Sequence, residues 1–266
     1  MKRTFIRTVA AGLLAAATLG TAVQTAAAQT VDQIKQKGKL TVGMLVDFPP
    51  FGIMNTDNQP DGYDADVAKL MGKHMGVPVE IVPVTGPNRI PYLQTNKVDV
   101  LVASLGITPE RAKQVQFSAP YAAIEIGLLA PASTAIKDAE AMKGKRIGVT
   151  RASTQDTAVT AVAPQGTQIM RFDDDASAVQ ALLSQQVDAI GVSNVVAQEI
   201  KKLAPGAGYE TKMVFRRQPN AIALRPGQDE LLAWTNGFVE TVKKNGELEA
   251  IHQKWLGTGL PDLSAP

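Results

Sequence analysis

Short apolar runs alternate with segments whose apolar residues fall three and four apart, so strands and amphipathic helices are predicted in turn along most of the chain. Leu40 to Val46 reads as a first strand. After Gly62, Val67, Leu70, Met71 and Met75 share one helix face, and strands follow at Val77 to Val84 and Val98 to Ser104. A second series predicts strands at Ile124 to Ala130, Arg146 to Arg151, Thr167 to Phe172 and Val187 to Val192. Helices fall between them: one over Ser153 to Val162, one carrying Val179, Leu182 and Leu183, and one carrying Val195, Val196 and Ile200. The last of these stops in the Pro/Gly-marked stretch Ala204 to Gly208. A strand at Ala221 to Leu224, a helix bearing Leu231, Leu232, Phe238, Val239 and Val242, and a final helix with Ile251 and Trp255 complete the pattern. The alternation implies an α/β fold with largely parallel sheets.

The start of the chain departs from this pattern. Lys2, Arg3 and Arg7 precede an apolar run from Val9 to Leu19, and Ala26 and Ala28 form a small-residue exit, so residues 1–28 are expected to be a signal peptide cleaved before Gln29. Its removal changes the charge picture. The leader holds three of the 27 Lys and Arg and none of the 25 Asp and Glu, which takes the formal charge from +2 to near −1. A nearly neutral chain gives no reason to expect a nucleic-acid or membrane-surface partner. The protein contains no cysteine, hence no disulfide and no thiol nucleophile, and its two histidines, His74 and His252, lie far apart in helical patterns. No metal or other cofactor is expected.

Candidate chemistry concentrates where strands give way to helices. Thr108 suits an N-cap and Pro109 a first helical residue, so Arg111 stands in a first turn, where it opposes the helix dipole unless an anion pairs with it. The free N–H groups of that turn and a planar guanidinium suit a carboxylate. Ser153 caps a second helix start, which offers Ser153 and Thr154 hydroxyls and amides. Arg89 also opens a predicted helix, over Asn88 to Leu93, and Arg151 stands at the edge of the second series. Ser104, at the end of its strand, completes this set.

The order of these motifs resembles the polar amino-acid-binding proteins of bacterial ABC importers, the solute-binding proteins of family 3. It is carried by Gly38-Lys39-Leu40, Pro49-Pro50-Phe51, Gly62-Tyr63-Asp64-Ala65-Asp66, Val98-Asp99, Ile107-Thr108-Pro109-Glu110-Arg111, Phe117-Ser118-Ala119-Pro120-Tyr121, Lys143 to Val149, Val187-Asp188-Ala189 and Lys254-Trp255-Leu256-Gly257. The resemblance implies a two-lobed, Venus-flytrap (type II) periplasmic binding protein with its ligand cleft between the lobes. Lobe 1 is expected to comprise residues 29–121 and 220–266, and lobe 2 residues 122–219. It implies a monomer that delivers an amino acid or related carboxylate to a membrane permease and catalyses nothing. In the family, the equivalent of Arg111 holds the ligand α-carboxylate with donors near Gly106 and Thr108, and the residue at Phe48 covers the ligand's aliphatic part. Glycine usually stands where this chain has Ala152. Two aspartates that clamp the α-ammonium in many relatives align with Leu45 and Ser193. Asp47, two residues beyond Leu45 and on the same strand face, is the expected substitute, with Asn194 a weaker one. Three cations, Arg89, Arg111 and Arg151, suggest an acidic ligand such as glutamate or aspartate. The alternative is an exported enzyme of the cyclohexadienyl or arogenate dehydratase kind, which resembles this family and would need an acid in the cleft.

Overall fold

The computed structural model describes residues 29–263; the expected signal peptide lies outside them. The chain opens with α1 (Val31–Lys37), a helix the hydrophobic pattern did not reveal. Its start is a reciprocal capping box between Thr30 and Gln33 and its end is Gly38 in the left-handed conformation. β1 (Leu40–Leu45) is buried along its whole length, as a strand covered on both faces must be. A small hairpin of β2 (Ile53–Met54) and β3 (Pro60–Asp61) leads into α2 (Tyr63–Met75), whose Val67, Ala68, Met71 and Met75 face the core. A Cβ on Gly72 would stand 2.3 Å from a methyl of Val79 and 2.8 Å from the Val77 carbonyl, so only glycine lets α2 lie this close to the strand that follows.

That strand is β4 (Val79–Val84). α3 (Arg89–Gln94), β5 (Val100–Leu101) and α4 (Pro109–Ala112) come next, and then β6 (Gln116–Pro131). Beyond it run β7 (Arg146–Thr150), α5 (Thr154–Val162), β8 (Gln168–Phe172), α6 (Asp175–Leu183), β9 (Ala189–Ser193) and α7 (Asn194–Leu203). β10 (Tyr209–Leu224), α8 (Asp229–Lys244) and α9 (Glu247–Leu256) close the described chain. The strands follow the order β4-β1-β5-β10-β6-β9-β7-β8.

The order divides at its middle. β4, β1 and β5 are parallel neighbours in one half, and β9, β7 and β8 in the other. β6 and β10 pair antiparallel for nearly their full length and serve both halves. Ala223 of β10 pairs with Leu101 of β5, whereas Ile126 to Leu129 of β6 pair with β9. The result is two α/β lobes joined by two long crossing strands. The segments predicted at Ile124 to Ala130 and Ala221 to Leu224 are thus each only a part of a 16-residue strand. The polar residues Glu210 to Lys212 and Arg216 to Gln218, on either side of Met213 to Phe215, hid the rest: a crossing ribbon needs no continuous apolar face. Conversely, the strand predicted over Val98 to Ser104 pairs only at Val100 and Leu101 before the chain turns into the cleft.

Candidate functional site

The cleft lies where strand ends of the two lobes face each other. Leu45, Phe48, Gly86, Arg89 and Ser104 line it from the first lobe, and Thr150, Ser153, Thr154, Gln155 and Asp175 from the second. Ile124 of β6 completes the lining. A second, wider opening shares Gly86, Arg89 and Ser153 and adds Thr108 and Arg111.

Arg111 is fixed from below and reaches across. The Thr108 hydroxyl oxygen accepts the Arg111 amide at 3.2 Å, the N-cap predicted from the sequence, with Pro109 opening the turn. Its Nη1 donates to the Gly106 carbonyl and its Nη2 to the Ala152 carbonyl of the opposite lobe, each at 2.8 Å. Burial pulls its pKa below the usual guanidinium value, and the neighbouring cations Arg89 and Arg216 add to the effect. Two adjacent guanidinium groups in a half-dry cleft constitute a place for an anion. Ala152 has φ 57°, a left-handed backbone that glycine adopts without strain, at a position where relatives carry glycine. Just beyond it the Ser153 hydroxyl oxygen caps α5 by accepting the Asp156 amide at 3.0 Å.

Arg89 is 5% exposed, and its Nη1 donates to the Ala103 carbonyl at 2.9 Å. Burial lowers its pKa, opposed by Asp175, Tyr121, Asp47 and Asp64. Asp64 is fully buried beneath the cleft floor and accepts hydroxyl protons from Tyr121 at 2.7 Å and Ser104 at 2.9 Å. Burial pushes its carboxyl up to about 7, partly offset by those two hydrogen bonds and by Arg89. The same network holds Ser104 at φ 46°, since the Ser104 amide donates to the Tyr121 hydroxyl.

Several expected roles change. Asp47 is engaged across the cleft: its Oδ2 accepts the Asp175 amide at 2.7 Å and the Ala176 amide at 3.4 Å, so it crosses between lobes to the start of α6. Arg151 is exposed, with its Nε on Asp173 at 3.0 Å and its Nη2 on the Arg171 carbonyl, so its guanidinium is engaged outside the cleft. Ser193 is fully buried, yet its hydroxyl oxygen accepts the Val196 amide and caps α7, bordering a different pocket with Val192 and Val214. A strand that ends directly in a helix uses its last residue as cap, which explains the departure. Asn194 accepts the Glu125 amide at the crossing strands. Phe48 is 3% exposed at the cleft wall, and Phe51 packs on Tyr63 with ring centroids 4.8 Å apart.

Thr150 and Gln155 flank the Ser153 helix start in sequence, and Asp175 belongs to the acidic stretch Asp173 to Asp175 that reads as a loop or N-cap cluster. The Thr150 hydroxyl donates to Asp175 Oδ1 at 2.7 Å, and burial, reinforced by Asp47, raises Asp175 to about 7. An acid at a helix start is so well explained by the helix dipole that its type and place carried no further signal.

Residues 40–258 match the sequence model of the bacterial extracellular solute-binding proteins, family 3. The chain belongs to this family. The L-cystine-binding protein TcyJ of Escherichia coli K12 is 29% identical over 232 residues, 86% of this chain and 87% of that protein. An ancestral arginine-binding protein bound to arginine superposes with a TM-score of 0.79 at 39% identity, over 83% of this chain and 99% of that one. The ancestral amino-acid-binding protein AncCDT-1, a precursor of cyclohexadienyl dehydratase, gives 0.78 at 35% identity, over 85% and 99%. Family 3 membership makes this chain a solute-binding protein. Among the described residues no helix is long and apolar enough to cross a membrane.

Proposed function

We propose that this family 3 protein captures an α-amino acid outside the cytoplasmic membrane and presents it to an ABC permease. Supporting this is the pairing of Arg111 and Arg89 in one lobe with the capped start of α5 in the other: Arg89, Arg111 and Ser153 line one opening between the lobes, and these donors suit a carboxylate held from both sides. The L-cystine and arginine named for the relatives are α-amino acids, which agrees with a carboxylate site common to different side chains. A preference for glutamate or aspartate gains no support from Arg151, whose charge is matched by Asp173. Binding without catalysis fits cleft acids that already have partners: Asp47 holds α6 amides and Asp175 accepts from Thr150.

A thermal-shift screen of amino acids, 2-oxoglutarate and prephenate on the mature protein tests this, because a ligand specific to the native state raises Tm by mass action. An amino acid is expected to give the largest shift, to be confirmed by calorimetry. Preferred binding of a keto acid, or conversion of prephenate to an aromatic product, would overturn it.

A further inference from the structure

We propose that Asp47 is the latch of the closed molecule, a positioning residue that grips the start of α6 across the cleft and sets how long a ligand is held, without itself touching the ligand. This deepens the amino-acid assignment and rests on it. Leu45 and Phe48 line the cleft, but Asp47 between them does not. The loop that carries it is stiff. Phe48 and Gly52 exchange both backbone hydrogen bonds at 2.9 Å, and a Cβ on Gly52 would lie 1.9 Å from the Leu45 carbonyl oxygen, so the turn closes tightly on the end of β1. A carboxylate on so fixed a loop is aimed before the lobes meet, and little freedom is lost when it engages.

The amides at the start of α6 are divided between the lobes. The first amides of a helix have no partner within it. That of Ser177 is satisfied inside lobe 2, by the Asp174 side chain at 2.7 Å. Those of Asp175 and Ala176 go to Asp47 of lobe 1, at 2.7 and 3.4 Å, and the helix dipole adds to the attraction for its charge. Burial raises the Asp47 pKa, and these two amides oppose the rise. Both bonds join one lobe to the other, so they last only while the cleft is shut, and they favour the closed state alone. Arg111 also bridges the lobes, on the Ala152 carbonyl, but it lines the wider opening as well and is placed to meet a ligand. Asp47 lines neither opening. Its bonds therefore govern closure in the same way whatever amino acid is enclosed.

The test uses the mature protein with whichever of L-arginine, L-glutamine and L-cystine binds best. In calorimetry, Asp47→Ala is expected to weaken binding by ~10- to ~100-fold, the loss that follows from removing hydrogen bonds to a charged group. In stopped-flow kinetics the change should fall on the dissociation rate, with the association rate altered by less than ~3-fold. Asp47→Asn keeps an acceptor oxygen without its charge and should fall between the two. The readout particular to a latch is amide hydrogen exchange. Saturating ligand should slow exchange at Asp175 and Ala176 by at least ~10-fold in the natural protein, and should not do so in Asp47→Ala. Unchanged affinity in the variant would overturn the latch while leaving the amino-acid function standing. So would ligand-induced protection of the two amides that is absent from the natural protein or survives in Asp47→Ala. Failure of the unsubstituted protein to bind any of the three amino acids would overturn both.

Discussion

Arg111 illustrates what a single side chain reveals in sequence and what it conceals. A first-turn arginine after Thr-Pro is visible as an electrostatic oddity, and the structure supplies the partner carbonyls that aim it. Substitution by alanine should reduce amino-acid affinity by roughly 30-fold to several-thousand-fold, about 2 to 5 kcal/mol, in calorimetry; unchanged affinity would remove Arg111 from the site. Asp64 makes the opposite case. Nothing in Gly62-Tyr63-Asp64 announces a carboxyl raised from 3.8 to about 7, because the cause is burial against Tyr121 and Ser104, distant in sequence. The folded state keeps a proton on Asp64 that the unfolded chain releases near pH 4. Its contribution to stability is therefore full below about pH 4, declines as pH rises towards 7, and is level above, with a slope of up to about 1.4 kcal/mol per pH unit. Melting temperatures at pH 5 and pH 8 should fall more for the natural protein than for Asp64→Asn, which stays neutral; equal falls would show that Asp64 titrates normally.

Elements explain which expectations survived contact with the fold. Helix starts at Thr108 and Ser153 were legible because N-capping is local chemistry, written within four residues. The capping role of Ser193 was local too, but it competed with an alignment to a ligand aspartate, and in the fold the cap prevails. Asp47 stands just past the end of its strand, but the amides it meets belong to α6, far along the chain. Strand parity says which face a residue occupies, not what the other lobe brings there. Between β7 and α5 the turn holds Ala152 at φ 57°, a conformation that costs an L-residue about 1 to 2 kcal/mol, whereas glycine adopts it freely. Ala152→Gly should therefore raise stability by up to about 1 kcal/mol after the greater freedom of glycine in the unfolded chain is deducted, read as a higher Tm. A lower Tm would mean that the Ala152 methyl makes contacts worth more than the strain.

At the scale of the molecule, the decisive feature is the pair of crossing strands, β6 and β10, which the polar residues of the second concealed from the hydrophobic pattern. Their pairing is interrupted by register shifts between Asn220 and Ala221 and again between Ala221 and Ala223, close to where the two lobes separate. Irregular pairing there leaves fewer ladder bonds to resist bending, the property a hinge requires. Across the cleft the lobes meet through Asp47 on α6, Arg111 on the Ala152 carbonyl, and Gly86 beneath the Arg151 carbonyl. A Cβ on Gly86 would lie 2.8 Å from that carbonyl oxygen, and both are backbone-anchored, so neither can rotate away. Gly86→Val should therefore act as a wedge: the lobes remain folded, but they are held apart. Small-angle scattering with saturating ligand should show compaction of the natural protein and a larger radius of gyration for the variant. Affinity should fall with it, because the Ser153 and Thr154 donors no longer reach the carboxylate held by Arg111. Equal compaction of the two proteins would show that closure does not bring Gly86 and Arg151 together, and would remove this contact from the mechanism.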